Sequence, residues 1–338
     1  MTVPGLSHRR VVIVGAGYAG LEVAGVLRRA GLVPQRDFTV IDANKKGQRS
    51  WATRWHSMPL RSDAYDSAVA GRVFPGDQGR HPRAYEMEAY LASVEASLGV
   101  AVMWGIRAVD LESRGHGSTL ILSTTEGSVQ TRNVVCATGS SVRPWAPSWA
   151  AELSVPGVVM HSADYRSPQQ IPEGDVLIIG SGDSGVQIAR ELAPSHDVTI
   201  SSRYGDRRDR QQRQEGSRSW FARRRSRLLK AKEHAELQQH GASIVPAADG
   251  ADDGHVVLGD GVRMSPRSVI FATGYLPGDD WLPQTLRHSA STRGRRGRTS
   301  MPGLFVAGIP GYSRPGADNF AGMRRDATSI ARLILNRP

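Results

Sequence analysis

The pattern of apolar positions predicts a strand, a helix and a second strand near the N-terminus. Val11–Val14 is a continuous apolar run, typical of a strand that is buried on both faces. Apolar residues in Leu21–Leu27 then recur at the spacing of one helix face, and Gly31 suits a helix C-terminus. Phe38–Ile41 gives the second apolar run. This order is typical of an α/β fold with a parallel sheet.

The same order of elements recurs in the second half of the chain. Val176–Ile179 predicts a buried strand, and Val186–Leu192 has apolar positions at helical spacing before Pro194. Val198–Ile200 predicts the strand that follows. The repetition predicts two domains of the same kind, each built as a Rossmann-like unit.

A glycine-rich turn follows the first strand, with Gly15, Gly17 and Gly20 in the spacing GxGxxG. Asp42 ends the second strand, 22 residues beyond Gly20. In a dinucleotide-binding unit the glycines allow a tight turn and close approach to a pyrophosphate, which lies at the helix N-terminus. The acidic residue accepts hydrogen bonds from a ribose diol. The sequence therefore predicts a dinucleotide site here.

The second turn contains Gly180, Gly182, Ser184 and Gly185 in the same spacing. Arg203, 18 residues beyond Gly185, stands near the place of the acidic residue. A guanidinium there can bind a 2′-phosphate, so this site is predicted to prefer NADPH, with Arg207 and Arg208 as helpers. The other interpretation is that Arg203 only begins a basic segment.

Each unit is closed by a short signature in which an apolar strand runs into Ala-Thr-Gly. The small residue and the glycine let the backbone approach a cofactor closely. A later apolar run, residues 303–308, precedes a terminal helix predicted around 327–335. The candidate cofactor-binding residues of the two closures are Thr138 and Gly139 in the first and Thr273 and Gly274 in the second.

Composition limits the function classes without choosing among them. The chain has 338 residues and one Cys, which excludes a disulfide scaffold, a CxxC redox pair and a thiolate zinc site, and no metal site is predicted. No apolar run is long enough for a membrane span, and the first ten residues lack a secretory signal pattern, so a cytoplasmic location is expected. Lys and Arg outnumber Asp and Glu by 11.

Most of the net positive charge lies in one segment. Residues 203–232 contain ten Arg and two Lys against three acidic residues, a net charge of +9. The segment is interpreted either as a solvated charged insert or as a docking surface for an acidic partner. Nothing in the chain has the pattern of a nucleic-acid-binding module.

Three further motifs give the chain a family resemblance. Residues 155–166 are similar to the fingerprint FxGxxxHxxx(Y/F)(K/R), with His161 and Tyr165 in register, and residues 271–275 read Phe-Ala-Thr-Gly-Tyr. Residues 50–58 resemble an SWxxRWxS(L/M) segment that contains Trp51 and Arg54. Together with the two GxGxxG turns, these motifs resemble the flavin-containing monooxygenases, which are class B flavoprotein monooxygenases.

The resemblance implies an α/β fold of two Rossmann-like domains, with the NADPH domain inserted into the FAD domain. The expected boundaries are 1–150 and 288–338 for the FAD domain and 151–287 for a reduced NADPH domain. Trp51 and Arg54 are expected to bind FAD. The Gly-Gly that often precedes the Trp is replaced here by Gly47-Gln48-Arg49.

The resemblance also implies a reaction. FAD reduced by NADPH reacts with O2, and a C4a-(hydro)peroxyflavin transfers one oxygen to a small molecule by N- or S-oxygenation or by Baeyer–Villiger chemistry. Arg61 is predicted to lie near the flavin and to stabilise a peroxide anion. His161 is expected to act by positioning, because the fingerprint lies at a domain junction. A homodimer is a further expectation.

Two other functions remain open on the sequence alone. The chain could be an NADPH-dependent flavoprotein reductase that passes electrons to an acidic protein through the basic segment. It could also be a redox-sensing binding protein without turnover.

Overall fold

The computed structural model describes residues 9–114, 119–203, 231–287 and 296–337. The predicted helpers Arg207 and Arg208 lie outside the described residues, as does nearly all of the basic segment 203–232.

The helices of the described residues include both helices predicted from the glycine-rich turns. The terminal helix begins seven residues earlier than the predicted residue 327, because Asn319 caps its N-terminus by accepting a hydrogen bond from the Gly322 N–H at 2.8 Å. The α-helices are Tyr18–Arg29, Ala84–Leu98, Asp183–Leu192, residues 231–239 and Phe320–Leu335. The 3₁₀ helices are Ser148–Glu152, Pro168–Gln170 and Gln284–Leu286.

The strands fall into parallel and antiparallel sets. The strands of the parallel sheets are Val11–Val14, Phe38–Asp42, Met103–Trp104, Asn133–Cys136, Val159–His161, Asp175–Ile179, Asp197–Ser201, Ser243–Val245, Ser268–Phe271 and Leu304–Val306. The other strands are Ala108–Arg114, Thr119–Thr124, Gly127–Thr131, Arg143–Pro144, Ala248–Asp252, His255–Leu258, Arg263–Met264 and Tyr275–Leu276.

The chain divides into two compact units. The first contains residues 1–143 and 276–338, and the second contains 144–275, so the second is inserted into the first in sequence. The predicted junctions, after residues 150 and 287, lie 7 and 12 residues further along the chain than the observed ones, after residues 143 and 275.

A five-stranded parallel sheet forms the centre of the first unit. Its order in space is Leu304–Val306, Asn133–Cys136, Val11–Val14, Phe38–Asp42 and Met103–Trp104. Every residue of Val11–Val14 is buried, as its continuous apolar pattern predicts.

The second unit has a five-stranded parallel sheet in which four strands follow the same order, whereas its edge strand Val159–His161 precedes the glycine-rich turn in the chain and Leu304–Val306 of the first unit follows it. Its strands in space are Val159–His161, Ser268–Phe271, Asp175–Ile179, Asp197–Ser201 and Ser243–Val245. The central strand is again the one that enters a glycine-rich turn. The predicted fold class, two Rossmann-like α/β domains with one inserted into the other, is confirmed.

Each unit also carries a three-stranded antiparallel sheet that the apolar pattern does not reveal. Its strands are Ala108–Arg114, Thr119–Thr124 and Gly127–Thr131 in the first unit and Ala248–Asp252, His255–Leu258 and Arg263–Met264 in the second. In both units this sheet comes directly before the strand that Ala-Thr-Gly follows. It therefore fills the long connection between the early strands and the closing strand.

None of the helices within the described residues is both long enough and apolar enough to cross a lipid bilayer.

Candidate nucleotide sites

The first glycine-rich turn has the geometry of a phosphate-binding loop. Gly15 has φ +111°, and a β-carbon there would lie 2.3 Å from the Ala137 carbonyl oxygen. A β-carbon at Gly20 would lie 1.8 Å from the Gly15 carbonyl oxygen, so only glycine lets this helix pack so close to the turn. Glycine is therefore required at both positions by the fold itself.

Gly17 differs from its two neighbours in the motif. It is the N-cap of the helix Tyr18–Arg29, with φ −77°, and no described protein atom would lie within 4 Å of its β-carbon. Neither a side-chain cap nor an acidic residue in the first turn satisfies the N–H groups of this helix end within the described chain. The open space and the helix N-terminus together form a cradle that fits a diphosphate.

Asp42 lies at the end of the second strand, as predicted, and is 7% exposed. Its Oδ2 accepts a hydrogen bond from the Ala16 N–H at 2.7 Å, and its Oδ1 accepts one from the Asn44 N–H at 2.8 Å. The carboxylate is thus held against the glycine-rich turn itself, and each oxygen retains a lone pair for a ribose hydroxyl.

The closing signature of the first unit lies at the same edge of the sheet. The Ala137 N–H donates to the Val14 carbonyl at 2.8 Å, which places the next residues beside the glycine-rich turn. The Thr138 hydroxyl donates to the Gly278 carbonyl at 2.5 Å, and Gly139 has φ +92°. The structure therefore brings Thr138 and Gly139 together with the predicted FAD-binding glycines.

The other predicted residues of the FAD domain differ in exposure. Trp51 is half-buried, and its ring lies 6.1 Å from that of Phe320, which in turn stacks on Tyr18 at 4.0 Å between ring centroids. Arg54 is half-buried, and Arg61 is exposed directly after the buried Leu60. Trp51 thus lies close to the first helix, whereas the roles of Arg54 and Arg61 toward the flavin stay predictions.

Cys136 ends the strand that enters the first closing signature. It is fully buried, with its Sγ 3.2 Å from the Thr138 hydroxyl, and burial raises the pKa of the thiol to about 12. The protonated thiol is a poor nucleophile. Cys136 is therefore a strand residue of the core.

This burial predicts that Cys136 does not react with a thiol reagent in the folded protein. A disulfide reagent such as 5,5′-dithiobis(2-nitrobenzoate) at pH 8 should modify no thiol under native conditions and one thiol per chain after unfolding in guanidinium. The thiol is protonated at pH 8 because its pKa lies above that value. Rapid modification of the native protein would contradict the buried position.

The second glycine-rich turn repeats the geometry of the first. Gly180 has φ +112°, and a β-carbon there would lie 2.5 Å from the Ala272 carbonyl oxygen. A β-carbon at Gly185 would lie 2.0 Å from the Gly180 carbonyl oxygen, whereas no described protein atom would lie within 4 Å of one at Gly182. Ser184 is half-buried in the first turn of the helix that Gly182 caps. It forms a second cradle, which differs from the first in that Asp183 places a carboxylate in the first turn of the helix.

Strand register shows which residue replaces the acidic one. Val14 pairs with Ile41 in the first unit and Ile179 pairs with Ser201 in the second, so Ser202 is the counterpart of Asp42. Ser202 is buried, with its hydroxyl 2.7 Å from that of Ser181. Arg203 comes one residue later and is exposed. A neutral hydroxyl followed by a guanidinium suits a phosphorylated ribose.

The second closing signature is tied to the fingerprint residue His161. The Nδ1 of His161 accepts from the Ala163 N–H at 3.0 Å, which leaves Nε2 to donate to the Gly274 carbonyl at 3.1 Å. Gly274 has φ +100°, and the Thr273 hydroxyl donates to the Trp145 carbonyl. Both ring nitrogens are thus engaged with backbone groups, which favours positioning over proton transfer for His161.

Tyr165 of the same fingerprint is fully buried in the second unit. Its burial and the neighbouring Glu191 carboxylate raise the pKa of the phenol well above its usual range. Because Glu191 belongs to the helix Asp183–Leu192, Tyr165 connects the fingerprint to the helix that begins at the second glycine-rich turn.

The sequence did not predict a buried ionic group that contacts the first glycine-rich turn. Arg49 is 2% exposed and donates from Nε to the Ala16 carbonyl at 2.8 Å. Its guanidinium also pairs with Glu88 at 2.6 Å and with Glu95, and it lies 4.7 Å from the centre of the Trp104 ring. The sequence signal was the segment Gly47-Gln48-Arg49, which stands where Gly-Gly often precedes the Trp.

Within the described residues, no three His, Cys, Asp or Glu side chains come together as a metal site would require.

A family model described as pyridine nucleotide-disulphide oxidoreductase matches residues 12–308. That range includes both glycine-rich turns and both closing signatures. The chain belongs to the pyridine nucleotide-disulphide oxidoreductase family.

Known proteins similar to the chain span nearly its full length. It is 26% identical to an uncharacterized CzcO-like oxidoreductase of Geobacillus kaustophilus, over 96% of the chain and 98% of the relative. A mutant flavin monooxygenase of Stenotrophomonas maltophilia has 25% identity and a TM-score of 0.75 over 98% of both chains. A bacillithiol disulfide reductase of Bacillus cereus is similar in fold, with 19% identity, a TM-score of 0.76 and full coverage of both chains.

The family and the similarity to the Stenotrophomonas flavin monooxygenase confirm the resemblance to flavin-containing monooxygenases. The chain is an oxidoreductase of this flavin-dependent group, with FAD and NADPH as its cofactors. The two glycine-rich cradles of the structure fit these two dinucleotides.

Proposed function

We propose that the chain is an FAD- and NADPH-dependent monooxygenase that transfers one oxygen of O2 to a small organic molecule. NADPH supplies two electrons as a hydride, and one further proton comes from the solvent. One oxygen atom then enters the product and the other leaves as water. Bound FAD supplies the oxygen chemistry, while the protein binds the nucleotides, orients them and excludes water.

The observation that carries the cofactor assignment in this proposal is the pair of unlike nucleotide cradles. The first presents the carboxylate of Asp42, which suits the unphosphorylated ribose of FAD. The second presents Ser202 and Arg203, which suit the 2′-phosphate of NADPH. FAD is therefore proposed for the first unit, and NADPH for the second.

The cysteine content favours oxygen transfer over disulfide reduction by an internal dithiol. The sequence has one Cys, and Cys136 is buried with a raised pKa. The chain therefore has no dithiol of its own that could relay electrons to a disulfide substrate.

A thioether, an amine or a ketone is proposed as the group that accepts oxygen, and Arg61 is proposed to stabilise negative charge during that transfer.

Isotope labelling tests the proposed reaction. The holoenzyme is incubated with NADPH and ¹⁸O2 in the presence of small thioethers, amines and ketones, and the products are analysed by mass spectrometry. One ¹⁸O atom per product molecule is expected. In parallel, the NADPH-reduced enzyme is mixed with O2, and a transient near-ultraviolet absorption distinct from oxidised flavin is expected.

The opposite result would assign the chain to electron transfer. Monotonic return of oxidised flavin absorption, no label in any product and rapid reduction of a small acidic electron-transfer protein would support the reductase alternative. Negligible NADPH oxidation under all these conditions would instead support a redox-sensing protein.

Arg203 gives a prediction about cofactor preference. Arg203→Ala should lower kcat/KM for NADPH by about 10- to 100-fold, because a charge-assisted contact with the 2′-phosphate is lost. The value for NADH, which lacks this phosphate, should change less than about twofold. Steady-state NAD(P)H oxidation measures both, with Arg190→Ala as the matched control, since Arg190 is a surface residue paired with Glu236 at 2.6 Å. Equal losses with the two nucleotides would contradict the assignment.

A further inference from the structure

We propose that Arg49 is a positioning residue for FAD, which acts through the backbone of the first glycine-rich turn. The proposal rests on the assignment of FAD to the first unit. Arg49 does not contact the cofactor in this proposal. It fixes the peptide group on which the diphosphate cradle depends.

Ala16 is the residue between Gly15 and Gly17, and both its N–H and its carbonyl form hydrogen bonds with side chains. Its N–H donates to Asp42 Oδ2 at 2.7 Å, and its carbonyl accepts from Arg49 Nε at 2.8 Å. A peptide group is planar and trans, so fixing the direction of the Ala16 carbonyl also fixes the opposite direction of the Gly17 N–H. That N–H is at the helix end that faces a bound phosphate.

The rest of the guanidinium is fixed by two carboxylates of one helix. Glu88 and Glu95 are seven residues apart in Ala84–Leu98, so they lie two turns apart on the same face. Each pairs with a different terminal nitrogen of Arg49. With Trp104 against the guanidinium, the side chain has one orientation, and its Nε–H points at Ala16.

The number and direction of the N–H donors explain why an arginine is needed. Three acceptors surround the side chain, and only the planar guanidinium presents separate N–H groups along Nε and both terminal nitrogens. Lysine would keep the positive charge between the two carboxylates but lacks the Nε–H. The two carboxylates outweigh the single positive charge of Arg49, so Arg49 does not act on a diphosphate by charge attraction and its effect operates through the Ala16 peptide.

Three variants test the proposal through FAD affinity, measured on the diluted holoprotein from the fluorescence of released FAD. Arg49→Lys keeps the charge and removes the Nε donor. The triple variant Arg49→Met, Glu88→Leu, Glu95→Leu removes all three charges together, a change that buried ionic groups often tolerate without loss of stability. Arg80→Lys is the matched control, because Arg80 forms a two-bond ion pair with Glu86 on the same helix.

The Kd for FAD should rise about tenfold in Arg49→Lys and in the triple variant, and by less than about twofold in Arg80→Lys. The melting temperature of the triple variant should not fall in parallel with its FAD affinity. Tight FAD binding by the triple variant, or an equal loss in Arg80→Lys, would overturn the proposal. If the unsubstituted chain bound no FAD, the cofactor assignment would fall as well.

Discussion

Gly17→Ala is expected to remove tight FAD binding from a chain that remains folded. The β-carbon at this position meets no described protein atom within 4 Å, and φ is −77°, so alanine adds no strain to the protein. Alanine would instead fill the space at the helix N-terminus that the FAD diphosphate is proposed to occupy. Steric overlap of this kind should raise the Kd for FAD on the order of 100-fold.

The measurement compares flavin content with stability. The variant should be purified with little bound FAD, although the unfolding midpoint of its flavin-free form should lie close to that of the flavin-free parent. Gly250→Ala is the matched control, since no described atom would lie within 4 Å of its β-carbon either, and residue 250 lies in an antiparallel strand of the second unit. Normal flavin content in Gly17→Ala would place the diphosphate elsewhere.

The sequence predicted those parts of the fold that depend on local patterns. Val11–Val14 is buried throughout because a central parallel strand is covered on both faces, and that requirement is visible as an unbroken apolar run. Gly15 and Gly20 are required by contacts within a few residues or with the closing strand, so their spacing was informative. Asp42 was found for the same reason, as it ends a recognisable strand.

Other parts of the candidate site depend on contacts that spacing does not encode. Arg49 pairs with residues 39 and 46 positions away, on a helix whose orientation the sequence does not specify. Counting from the second glycine-rich turn selected Arg203, whereas strand register makes the buried Ser202 the counterpart of Asp42. The connection from turn to strand differs in length between the two units, so residue counts alone could not distinguish these neighbours.

Gly182→Ala should weaken NADPH binding and leave FAD binding intact, which is the reverse of the effect expected for Gly17→Ala. Gly182 caps the helix Asp183–Leu192 with φ −73°, and no described atom would lie within 4 Å of its β-carbon. Alanine there should fill the space proposed for the NADPH diphosphate without straining the protein. FAD content should stay normal, while the NADPH concentration for half-maximal flavin reduction rises on the order of 100-fold.

Anaerobic reduction of the bound flavin measures this effect without any substrate. Reduction of Gly182→Ala by NADPH should be slow at concentrations that saturate the parent, whereas dithionite should reduce both proteins equally because it does not use the nucleotide site. The two glycines occupy equivalent positions, yet each variant should lose only the nucleotide of its own unit. If Gly182→Ala lost FAD and retained rapid reduction of added flavin by NADPH, the assignment of the two cradles would have to be exchanged.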